Sequence, residues 1–190
     1  MKVRFNQIVL LLILFSASQL RPQITSHWNS DTSFYFYTSD SSAKDLIATK
    51  VIYDSKLTKE EILDSVASYL SNTYFIPKHK YYEGKQKIII TIMDITSIDL
   101  TNRKYSIATV GIDDPDKICM GTYFQGSAGG KITFLMLIAN FMQPQLKYPL
   151  LDGLIILYNN TELKGMDHIN LEGLISEREI DNTVRQALKY

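Results

Sequence analysis

Gly126-Ser-Ala-Gly-Gly-Lys-Ile-Thr-Phe-Leu-Met-Leu-Ile-Ala-Asn-Phe-Met142 is the stretch on which the reading of the fold turns. After a glycine-rich start, Lys131 to Met142 is apolar on almost every side of a helix, from Ile132 through Phe134 to Ala139, Phe141 and Met142. A helix with no face to offer water must be covered on most sides, and a sheet is the expected cover. Gln143-Pro144 stops it, because proline cannot continue the hydrogen-bond ladder. The next run, Gly153-Leu-Ile-Ile-Leu-Tyr158, is apolar without alternation and predicts a central strand. Asn159-Asn160 turns the chain back, and Thr161 to Leu163 is a short return strand.

Working towards the N-terminus, Ile118 to Phe124 reads as the returning strand of a hairpin. Its partner is Tyr105 to Ile112, and Asp113-Asp-Pro-Asp116 is the turn between them. Lys87 to Met93 is a run rich in β-branched residues and predicts a strand, and Pro77 to Gly84 before it reads as a loop. Thr58-Lys-Glu-Glu61 is a capping box, in which the threonine oxygen accepts from the third amide and the glutamate reaches back. Ile62, Leu63, Val66, Tyr69 and Leu70 then recur at helical spacing, so 59–72 is an amphipathic helix. Phe34-Tyr-Phe-Tyr37 and Leu46 to Tyr53 predict two further strands, with a Ser/Asp-rich turn at 38–43. Near the other end, Ser176-Glu-Arg-Glu179 is a second capping box, and Ile180, Val184 and Leu188 line one side of a terminal helix. No repeat or linker divides the chain. The expectation is α+β: a single domain over 34–190, with a mostly antiparallel or mixed sheet packed by two or three helices.

The first 22 residues read differently. Lys2 and Arg4 precede an apolar run, Ile8 to Phe15, which Ser16, Ala17, Ser18 and Gln19 close. A basic start, a short apolar middle and a small-residue exit predict a signal peptide over 1–22. The run would rise only about 12 Å as a helix, too short for a stable span of a hydrocarbon layer of roughly 30 Å. Export to a periplasmic or secreted location follows. The one cysteine, Cys119, permits no internal disulfide. An exported domain that relies on its core instead of disulfides points to a bacterial source.

Composition excludes some functions. Lys plus Arg and Asp plus Glu both number 20, for zero net charge, so nothing is set up to neutralise nucleic-acid phosphates. The three histidines, His27, His79 and His168, share no helix with acidic partners at ligand spacing, and neither metal nor cofactor is expected. Gln125 to Thr133 imitates a phosphate-binding loop, but Gln125 stands in place of its first glycine and Ile132 in place of its hydroxyl. What survives is anion capture by backbone amides at a glycine-rich helix start, which singles out Ser127, Gly129 and Gly130, with His168 as a polar companion. The plainer reading is a tight turn into a helix. Cys119 with His168 invites a nucleophile and base, but no local signature supports the pair, and a buried thiol is expected. Twelve tyrosines suit stacking on sugars or peptides, and equally suit strands and core.

From Ser106 onward the order of pieces resembles a GerMN domain, the module named for a spore-germination and sporulation protein. The resemblance rests on the strand at 106–112, the glycine-rich turn and apolar helix at 126–142, Leu151 to Asn160, and Leu163-Lys-Gly-Met-Asp-His-Ile-Asn-Leu171. It implies an exported, non-enzymatic envelope domain that contacts proteins or cell-wall material such as peptidoglycan, and it carries over no catalytic residue. The rival is a small exported hydrolase with a site near Gly126 to Gly130, Asp167 and His168.

Overall fold

The computed structural model describes residues 33–40, 44–53, 56–76, 82–100, 103–146, 149–163 and 172–176. The expected signal peptide, and the terminal helix expected after Ser176, lie outside the described residues. The aromatic strand β1 (Ser33–Ser39) pairs antiparallel with β2 (Leu46–Ile52), and Asp40 holds their turn by accepting from the amides of Lys44 and Asp45. Helix α1 (Lys59–Tyr69) opens on the predicted capping box: Glu61 N–H donates to Thr58 Oγ1 at 3.1 Å, and Thr58 N–H to Glu61 Oε2 at 2.7 Å. It ends three residues earlier than the periodicity suggests. A wider turn, Leu70–Tyr74, takes over, closed by a bond from Phe75 N–H to the Leu70 carbonyl.

The larger sheet is mixed. Strands β3 (Ile89–Leu100) and β4 (Arg103–Asp113) form a long antiparallel pair with a bulge at Met93, between Ile92 and Asp94. Helices α2 (Ile118–Thr122) and α3 (Ser127–Met142) then carry the chain over to β5 (Gly153–Tyr158), which runs parallel to β4. The far edge of β5 is shared by β6 (Thr161–Glu162) and β7 (Leu174–Ser176), both antiparallel to it. Asn159 and Asn160, with φ of 47° and 62°, make the β5–β6 turn in the left-handed conformation that two-residue hairpins favour. The fold is a single-domain α+β arrangement with a mixed sheet.

Helix α3 lies between the two sheets, and this is why its sequence has no polar face. One side packs on β1 and β2, the other on the sheet face that carries Val110, Ile112, Leu154 and Ile156. Helix α1 adds Ile62, Leu63, Val66 and Leu70 to the same core. Burial of these side chains contributes about 1.5–3 kcal/mol each, offset by the entropy of ordering the chain.

One prediction is overturned. Ile118 to Phe124 forms the short helix α2, not the returning strand of a hairpin. Asp114 is the cause. Its carboxylate accepts from Ile118 N–H at 2.9 Å and Cys119 N–H at 2.6 Å, which satisfies a helix start and curls the chain instead of extending it. Lys117 takes a φ of 55° to make that approach.

Candidate functional site

Ser127, Gly129 and Gly130 stand together in the first turn of α3, behind Gly126, whose φ of 71° permits the sharp entry. No side chain caps this turn, and Gly130 N–H bonds the Gly126 carbonyl at 3.1 Å. Asp167 and His168 lie outside the described residues. Of the predicted site, the described residues hold the glycine turn.

Cys119 is fully buried beside Asp114. Burial above all, then the charge of Asp114 and a hydrogen bond to it, push the thiol far above its ordinary value. A nucleophilic cysteine needs the opposite, a thiolate favoured by positive neighbours. Tyr158 Oη donates to the same carboxylate at 2.8 Å, and burial followed by that bond raises the tyrosine as well. Asn159 completes the knot, accepting from Asp114 N–H at 2.7 Å and donating to the Asp114 carbonyl at 3.0 Å. This closed cluster ties α2 to the end of β5 and is structural.

Among the described residues, accessible concave surface lies along α1. Asp64 and Ser68 of α1 and Asn72 of the wider turn that continues it form a polar stripe spaced four residues apart, opposite the apolar face that enters the core. Two shallow grooves share this stripe. One, of about 420 Å³, runs between α1 and the start of β3 and includes Lys87. The other, of about 530 Å³, lies towards the β1–β2 hairpin and is walled by Phe36, Tyr53 and Tyr69. Asn72 Nδ2 donates to the Ser68 carbonyl at 2.8 Å and to Ser68 Oγ at 3.1 Å, while its Oδ1 accepts from Lys87 Nζ. These bonds set the amide between a cation on one side and the helix on the other. Phe36 and Tyr69 stack with centroids 4.0 Å apart, and burial foremost raises the Tyr69 hydroxyl, keeping it a neutral donor. Sequence reading passed over the stripe, although the spacing was there: polar residues four apart on an exposed face resemble any solvated helix surface.

Tyrosines and strand edges, the other candidates for binding, are largely committed to structure. No described tyrosine is fully exposed. The outer edge of β1 is closed by α3: Asn140 Oδ1 accepts from Tyr37 N–H at 3.0 Å and its Nδ2 donates to the Tyr37 carbonyl at 2.7 Å. Gln143 repeats the pattern at Tyr35, at 2.8 and 2.7 Å. On β3, Ser71 Oγ accepts from Ile90 N–H at 2.8 Å. Beyond Ile92 the β3 edge has no partner strand among the described residues, and there the bulge and the exposed Asp94 make it a poor template for further pairing.

Among the described residues no three His, Cys, Asp or Glu side chains stand together as metal ligands, and no helix is long and apolar enough to cross a membrane. Comparison with protein-family models, curated proteins and solved structures finds nothing that matches this chain.

Proposed function

We propose that the chain is an exported bacterial envelope protein of the GerMN type, acting as a non-catalytic interaction module, and that the two grooves along α1 are its contact surface. The observation that carries the reading is the stripe Asp64, Ser68, Asn72, with Lys87 on one flank and the rings of Phe36, Tyr53 and Tyr69 on the other. Hydrogen-bonding groups beside half-buried aromatic rings suit a partner rich in hydroxyls and amides, and peptidoglycan is such a polymer. The closed Asp114–Cys119 cluster supports a non-catalytic role there, since burial and the neighbouring carboxylate disfavour the thiolate that a nucleophile needs.

The test is retention on purified peptidoglycan sacculi, with an envelope extract in parallel. Ser68→Arg places a bulky side chain between the two grooves at an exposed position and leaves the core untouched. The wild-type chain is retained on sacculi, and the variant loses retention by at least about tenfold, or about 1.4 kcal/mol. Capture of envelope proteins alone would replace the polymer with a protein partner. Capture of neither, or equal capture of both chains, would end the reading.

A further inference from the structure

The aromatic side of α1 is built from paired rings. Phe34 and Phe36 share one face of β1 and meet edge to face, with centroids 5.1 Å apart. Each backs a second ring. Tyr53 lies parallel to the fully buried Phe34, at 5.5 Å and 16°, and Tyr69 lies parallel to Phe36, at 4.0 Å and 18°. Tyr53, Phe36 and Tyr69 are half-buried, and all three line the groove of about 530 Å³. These contacts hold the walls in place before any ligand arrives, so little side-chain freedom is left to lose on binding. Phe36 and Tyr69 turn their faces to each other, which leaves the face of Tyr53 that points away from Phe34 as the open one. A cation cage needs several ring faces aimed at one point, and this wall is a flat platform instead.

The polar lining is equally specific. Asp64 makes no hydrogen bond or ion pair among the described residues, which leaves both carboxylate oxygens as acceptors. Ser68 Oγ accepts from Asn72 Nδ2 and keeps its own proton to donate. The lining carries the negative charge of Asp64 and no positive one, so it repels the free carboxylates of a peptide and the phosphates of an anionic polymer. A neutral sugar ring fits both halves of the groove. Its C–H face is apolar and lies flat on an aromatic ring, while the hydroxyls at its rim both donate and accept. Asp64 to Ser68, and Ser68 to Asn72, each advance about 6 Å along the helical path, close to one unit of a β-linked sugar chain.

Within the peptidoglycan reading, on which this step rests, we infer that the aromatic groove holds the glycan strand and not the peptide. One N-acetylhexosamine stacks on Tyr53, and its hydroxyls donate to Asp64 and accept from Ser68.

Titration calorimetry on the full chain tests this with three probes: chitotetraose, a stem peptide without sugar, and choline, which a cation cage would prefer. The wild type binds chitotetraose with a dissociation constant of about 1 mM or tighter, and the other two at least about tenfold more weakly. Tyr53→Ala removes the platform, and Asp64→Lys removes the acceptor at an exposed position that ties down nothing else described. Each weakens chitotetraose by at least about tenfold, and Asp64→Lys decides the matter if Tyr53→Ala fails to fold. Retention on sacculi without binding of chitotetraose would overturn the glycan assignment and leave the envelope role standing. Absence of both would end the two together. Tighter binding of the peptide or of choline, or chitotetraose binding that Asp64→Lys leaves unchanged, would also overturn the glycan assignment.

Discussion

Asn140→Leu tests the central packing argument most directly. By composition the change should help, because it removes the one polar residue from the apolar run Phe134 to Met142 in the largely buried part of α3. A leucine, of the same branched outline though larger, gains about 2 kcal/mol of apolar burial. The structure reverses the sign. Asn140 and Tyr37 are both wholly buried, and the asparagine amide is partner to the Tyr37 N–H at 3.0 Å and the Tyr37 carbonyl at 2.7 Å. Leucine leaves both backbone groups unpaired where water cannot reach, at about 1–3 kcal/mol each. The net expectation is a loss centred on about 2 kcal/mol and of at most about 4 kcal/mol, a large part of a stability of about 5–15 kcal/mol. Urea unfolding measures it as a midpoint lowered by about 0.5–2 M at unchanged slope, and the Tyr37 amide should exchange faster than its β2 partners. Gln143→Leu provides the comparison. Tyr35 is only half-buried, water can replace the lost bonds, and the loss should be clearly smaller. An Asn140→Leu protein as stable as the wild type would refute the idea that α3 closes the β1 edge.

Asp114→Ala removes the acceptor for two buried amides and the Tyr158 hydroxyl, so a loss of at least about 3 kcal/mol is expected. Calorimetry checks it, and Cys119 should become reactive to thiol reagents at temperatures where the wild type is silent. Stability should also fall at alkaline pH. The native state keeps protons on Cys119, Tyr158 and Tyr123, the last pushed to about 12 mainly by burial, whereas the unfolded chain releases them from about pH 9 upward. Unfolding free energy therefore declines above about pH 9, mainly through the deeply buried Cys119, and urea midpoints that stay flat from about pH 8 to 11 would contradict the burial of these groups.

The legible elements share a local cause. Thr58 and Glu61 are three residues apart and need only each other to start α1, and Asn159-Asn160 can adopt left-handed backbone before any sheet exists. The failures come from partners distant in the chain or hidden by environment. Ile118 to Phe124 has the composition of a strand, yet Asp114, itself anchored by Asn159 and Tyr158 from β5, turns it into a helix. The same holds for the candidate site. The stripe Asp64, Ser68, Asn72 is written into α1 and the wider turn that continues it, but its aromatic wall comes from Phe36 and Tyr53 of the first hairpin and its cation from Lys87 before β3.

By itself, then, the chain determined which segments are helix and strand wherever capping, turn chemistry or side-chain periodicity acts within a few residues, and it required α3 to be enclosed because that helix has no surface for water. Only tertiary structure decided which strand edges are closed, which sheet face the described helices cover and where grooves open. Those outcomes depend on side chains such as Asn140, Gln143 and Asp114 meeting backbone groups far away in sequence, and no local pattern specifies such meetings.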